Sequence, residues 1–205
     1  MNVDRTALRT PVRVALAVLL AVAAASCSWN QPAARVGDTE ISRDQLEADT
    51  DALRTIPELA TLLGAAVPEE GPVPAAVVTS LLSLRISHAV LGARYEATKP
   101  LSAEDEAKEL AAIDEQLTAD LGSPDVYAKI PVSLREVLRT FLLYRTALLG
   151  EVPEDQILTE VSAIFEGADI EVDKRYGTWD PALFEVVPPE APGQGPASSG
   201  DLDAS

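Results

Sequence analysis

Thiol chemistry in this chain is confined to one residue, Cys27. It follows the apolar run VALAVLLAVAAA (residues 14–25) and Ser26, with Arg5, Arg9 and Arg13 ahead of that run. A basic start, an apolar middle and small residues before a cut site make the pattern of an export signal. A cysteine placed just past the small residues adds a second meaning, an attachment site for lipid on the thiol after cleavage before Cys27. Twelve apolar residues are too few for a permanent span, which takes about 20.

The expected arrangement is thus that of a bacterial lipoprotein held on the extracytoplasmic face of a cell membrane. Ordinary secretion after the Ala-Ala-Ala stretch is the competing reading, because the position three before the cysteine, usually Leu in lipoproteins, is Ala24. A single cysteine also excludes an intramolecular disulfide, so an exported chain must hold together by its core.

The remaining chemistry-bearing residues do not assemble into a catalytic pattern. His88 is the only histidine. It stands four residues after Leu84 and three before Leu91, on an apolar helical stripe, where a packed and hydrogen-bonded role outweighs that of ligand or base. A lone His without a free Cys has none of the usual metal-ligand spacing. The run Glu104-Asp105-Glu106 lacks the glycine and alternating carboxylates of a calcium loop and reads as a solvated helix start. No Gly-x-Ser-x-Gly, phosphate loop or dinucleotide fingerprint occurs. Tyr176 and Trp179 read as aromatic caps on a core rather than ligand contacts. No catalytic residue, metal site or cofactor is expected.

Charge narrows the partners. Sixteen basic against 33 acidic residues give a formal net charge of −17, and loss of residues 1–26 removes three arginines and one aspartate. Such a surface repels phosphate backbones and anionic lipid, which argues against nucleic-acid binding.

The elements that must position these residues are mostly helical. Residues 27–32 form a short spacer, and residues 188–205, rich in Pro, Gly, Ser and Asp, read as a disordered tail. Between them, Gly37-Asp38 is a turn between short extended stretches. Ser42 with Gln45 is a capping box, and Ile41 can staple to Leu46. Helices are predicted over residues 43–53 and 57–63, and a Pro/Gly-rich loop follows over 64–74. With Pro74 as its first residue, a central helix then runs through residue 97, carrying Val77, Leu81, Leu84, Leu91 and Tyr95 on one stripe. Ser102 caps a more polar helix to residue 121, expected on the surface or as a projecting arm. Ser123-Pro124 starts a short helix, and Ser133 with Glu136 reads as a second capping box. The helix it opens presents Leu134, Val137, Leu138, Phe141, Leu142, Leu148 and Leu149 and is closed by Gly150. A last helix covers residues 154–166, and the chain from 168 to 180 turns extended.

Two of these segments resemble a known family. ARVGDTEISRDQL (residues 34–46) resembles the opening of SurA- and PrsA-type extracytoplasmic folding factors, and ADIEVDKRYGTWD (168–180) resembles the closing strand of actinobacterial members. The resemblance covers residues 33–180. It implies a helical chaperone domain in which the N-terminal strand region and the C-terminal segment come together. Many members insert a parvulin prolyl-isomerase module before the closing strand. Too few residues lie between Gly150 and Asp169 for one, so binding is expected to carry over and isomerase activity is not.

The expectation is a mainly α, SurA N-terminal-like domain over residues 33–187, behind a signal peptide (1–26) and spacer (27–32). Its expected function is non-catalytic binding of unfolded or exported polypeptides at the membrane. The alternative is a scaffold lipoprotein serving one envelope protein.

Overall fold

The computed structural model describes residues 31–68 and 70–189. The expected signal segment, Cys27, most of the spacer and the tail from residue 190 onward lie outside the described residues. Within them the chain is mainly α, with short strands at its two ends.

Strands β1 (Ala34–Val36) and β2 (Thr39–Ile41) pair antiparallel, Val36 opposite Thr39. Gly37 turns the corner at φ 54°, a conformation glycine adopts without a Cβ penalty. Helix α1 (Arg43–Thr55) follows at once. Its capping box is formed in full: the Gln45 amide donates to Ser42 Oγ at 3.1 Å, and the Ser42 amide donates to Gln45 Oε1 at 3.0 Å. Ile41 and Leu46, on either side of the cap, are both buried. Helix α2 (Pro57–Leu62) has proline in its first turn, where a missing N–H leaves nothing unpaired.

Helix α3 (Ala75–Thr98) is the axis of the domain. By length and composition it could cross a membrane. Instead it packs against α1, β1 and the elements that follow, with Leu82 and Ile86 fully buried. Pro74 is the cap rather than the first helical residue, because its carbonyl already accepts from the Val77 and Val78 amides. The chain leaves α3 through Lys99 in the left-handed conformation, φ 42°.

Helix α4 (Ala103–Asp120), capped by Ser102, lies along helix α6 (Val132–Leu149) rather than projecting, and buries Ile113 and Leu117. Helix α5 (Pro124–Lys129) bridges them, capped by Ser123. The second capping box is not formed. The Arg135 amide bonds to the Pro131 carbonyl, so α6 begins two residues early and Ser133 falls inside the first turn. On α6, Leu134, Val137, Leu138 and Leu143 are the buried side chains, whereas Phe141, Leu142, Leu148 and Leu149 are only half-buried. Gly150 ends the helix at φ −62°, without the left-handed turn expected of a glycine there.

The last helical stretch divides into a 3-10 turn (Glu154–Gln156) and α7 (Ile157–Phe165). Strand β3 (Ile170–Val172) then returns to the beginning of the chain and pairs antiparallel with β1, Ala34 opposite Val172, giving the sheet order β2-β1-β3. The pairing is extended by bonds from the Asp173 amide to the Ala33 carbonyl and from the Gly37 amide to the Asp169 carbonyl. Arg43 of α1 meets Asp173 at 2.7 Å just beyond β3. A hairpin of β4 (Thr178–Asp180) and β5 (Glu185–Val187) completes the domain. Its Val186 is buried and its Val186 amide donates to Ser83 Oγ of α3 at 2.8 Å.

Candidate functional site

The polar residues singled out by sequence are held in separate places. His88 sits on α3 facing α6, with Nε2 2.8 Å from Thr140 Oγ1 and its ring tilted against Tyr144. The single Thr140 hydroxyl proton is donated to the Glu136 carbonyl at 2.6 Å. His88 therefore donates from Nε2–H, which fixes the neutral tautomer. Burial holds the imidazole below its ordinary value and Arg85, one turn earlier, adds to the depression, while Glu136 on α6 pulls the other way. The folded state thus resists protonation. Stability associated with His88 is fully present above about pH 6.5, the unfolded value, and is lost as pH falls toward the depressed folded value. Thermal melts from pH 7.5 to 5 should show a decline in Tm that His88→Gln flattens; an unchanged slope would remove His88 as its source.

Glu104, Asp105 and Glu106 occupy the first turn of α4, where carboxylates suit the positive end of the helix dipole. Glu106 also accepts a hydrogen bond from the Tyr95 hydroxyl at 3.1 Å, and burial with this bond raises the phenol to about 12. Among the described residues no group of three His, Cys, Asp or Glu side chains is placed to hold a metal.

One charged constellation escaped the sequence reading. Asp49 of α1 and Arg85 of α3 form a two-pronged ion pair in the core, 0% and 6% exposed. The Arg85 Nε–H donates to Asp49 Oδ2, and its Nη2 donates to Oδ1 at 2.8 Å. A signal was present. Asp49 stands three after Leu46 and four before Leu53, and Arg85 stands four after Leu81, so each charge lies on an apolar stripe. Each carboxylate oxygen accepts one guanidinium N–H, which makes the pair a clamp between helices.

Two recesses flank the α1–α3 contact. A groove of about 190 Å³ is lined by Leu53, Leu63, Ala65, Val77, Leu81 and Leu84, with Ser80 as its polar member. Leu63 and Ala65 stand at the entrance to the Pro/Gly-rich loop. A more polar cleft of about 380 Å³ lies toward the sheet, bounded by Glu47, Thr50, Asp51 and Tyr176.

The most exposed apolar structure is at the C-terminal end of the domain. Helix α7 has no buried residue despite the sequence ILTEVSAIF. Leu158, Val161 and Phe165 share a stripe by their i, i+3, i+7 spacing. Leu158 is 73% exposed. Phe165 stacks on Trp179 with ring centroids 5.8 Å apart and meets Phe184 at 5.1 Å. Phe184 is held at φ 54°, an uncommon conformation for a bulky residue, in the turn that also carries Leu183, 59% exposed. The result is an apolar ridge running from Leu158 to Leu183. Trp179 forms its aromatic floor and, like Tyr176, is half-buried against the main core.

Together these features define a mainly α domain, closed by a sheet made from both of its ends and carrying a raised apolar ridge. No family model, curated protein or solved structure matches this chain.

Proposed function

We propose that the chain is a non-catalytic, chaperone-like domain that binds unfolded or exported polypeptides, held at the extracytoplasmic face of a membrane by lipid on Cys27. The observation that carries this reading is the apolar ridge, where Leu158 at 73% and Leu183 at 59% exposure stand on a folded frame instead of inside it. Exposed apolar surface of this kind, gathered rather than scattered, marks a place for another chain. The pairing of β1 with β3 supports the same reading, since a joined beginning and end is the arrangement implied by the resemblance to SurA- and PrsA-type folding factors.

The protein is expected to slow aggregation of chemically unfolded clients at near-stoichiometric ratios, followed by light scattering. Absence of protection across several unrelated clients would sink the proposal. Mass spectrometry of the membrane fraction tests the anchor separately, a diacylated N-terminal Cys27 being the expected result. The ridge is one fixed patch, and this favours a second reading, a scaffold lipoprotein serving one envelope protein. Crosslinking in cells separates the two, because a broad client spectrum supports the chaperone and one dominant partner the scaffold.

A further inference from the structure

We infer that the ridge selects basic apolar polypeptide segments, in which Lys or Arg side chains alternate with or flank large apolar ones; this rests on the polypeptide-binding reading above. The argument is one of charge around an apolar surface. Between Arg145 and Lys174 there is no basic residue, and none follows Arg175. Glu154 and Asp155 stand one turn ahead of Leu158, and Glu166 directly follows Phe165. On the hairpin, Asp180 and Glu185 flank the turn that carries Leu183 and Phe184. Among the described residues none of these five carboxylates is in an ion pair.

The ridge is therefore an apolar strip with an acidic border whose charge is not compensated from within the fold. A neutral or acidic apolar segment docking there would bring its own charges against that border or bury part of it without a partner. A basic one would supply the missing counter-charge beside each carboxylate, while its apolar side chains cover Leu158, Phe165 and Leu183. The same border disfavours the other occupants. A second copy would set like charge against like charge across the interface, and an anionic lipid surface would be repelled. The chain's own segment after residue 189 offers one large apolar side chain, Leu202, and no base.

The test uses the full chain recovered from cells, in zwitterionic nanodiscs, with two fluorescein-labelled peptides of equal length and apolar content. One carries four lysines and the other four glutamates. Fluorescence anisotropy at low salt should show the lysine peptide binding at least tenfold more tightly, with the difference shrinking several-fold at 0.5 M salt as screening predicts. Leu158→Ser and Leu183→Ser together should weaken lysine-peptide binding about tenfold while the melting temperature stays unchanged. Replacing Glu154 and Glu166 by Gln should narrow the preference between peptides and leave the apolar contribution. Equal binding of the two peptides, or lysine-peptide binding unaffected by the paired serine variant, would overturn the inference. So would a dimer in sedimentation that the serine variant dissolves. Aggregation protection that survives the serine variant overturns the ridge as the site and leaves the chaperone reading standing. Selective peptide binding without protection of any client does the reverse.

Discussion

Replacing Asp49 by alanine should destabilise the fold by about 3–5 kcal/mol, the usual consequence of removing one partner from a buried ion pair. Asp49 is fully buried and Arg85 is 6% exposed, so removing the carboxylate leaves a nearly buried guanidinium without its counter-charge. For a domain of this size the melting temperature should fall by roughly 10 °C or more, as read by circular dichroism or calorimetry. The companion experiment replaces both partners, Asp49→Leu with Arg85→Met. Because apolar side chains of similar volume need no desolvated charges, that double variant should lie close to the parent or above it. A single variant that melts within a degree or two of the parent would show that the pair does not hold the helices together. The two results together separate loss of a clamp from creation of an orphan charge.

Gly177→Ala should be nearly as damaging, for a steric reason. Gly177 is at φ 127°, where an L side chain is strained, and a Cβ there would lie 1.9 Å from the Val187 carbonyl oxygen. The obstacle is backbone on the facing strand and cannot rotate away. Either β5 withdraws from β4 or the Gly177 backbone moves, and both loosen the hairpin that buries Val186 against α3. A loss of roughly 2–4 kcal/mol follows from combined strain and overpacking. Hydrogen exchange should locate it, with faster exchange at the Val186 amide than in α3. Exchange that accelerates uniformly across the domain would contradict a local mechanism.

What the sequence made legible was what depends on near neighbours. Ser42 and Gln45 are three residues apart, and both halves of their box could be read from that spacing alone. Ser102 and Ser123 start their helices for the same reason. Ser133 misled because its pattern was equally good, yet the Pro131 carbonyl two residues earlier took up the hydrogen-bond ladder first. The ion pair joins residues 36 apart; its two halves were visible as charges on apolar stripes, but nothing local says that the stripes face one another. Strand β5 was invisible because three residues, Glu185–Val187, are too short for a period to register, and its pairing depends on Gly177 letting the Val187 carbonyl approach. Of the ridge, only the extent of its helix and the aromatic Trp179 were legible, the latter as a cap on the core. Helix α7 touches α3 and rests Ile164 and Phe165 half-buried against the core, but nothing covers its other side, so none of its residues is fully enclosed.

The sheet order β2-β1-β3 has a consequence in time. A chain is made from its N-terminus, so β1 appears long before β3, and Arg43 and Asp173, which meet beside their pairing, are 130 residues apart. Until β3 arrives, one edge of β1 stays open and the loop closing the domain has yet to be tied, a step whose entropy must be met before any contact rewards it. The domain is in this sense a self-proofing device: its frame locks only once nearly all of the residues that build it are present. Chains cut short before Ile170 should retain helical segments but lack the closure that fixes them, making completeness of synthesis itself a condition of the folded state.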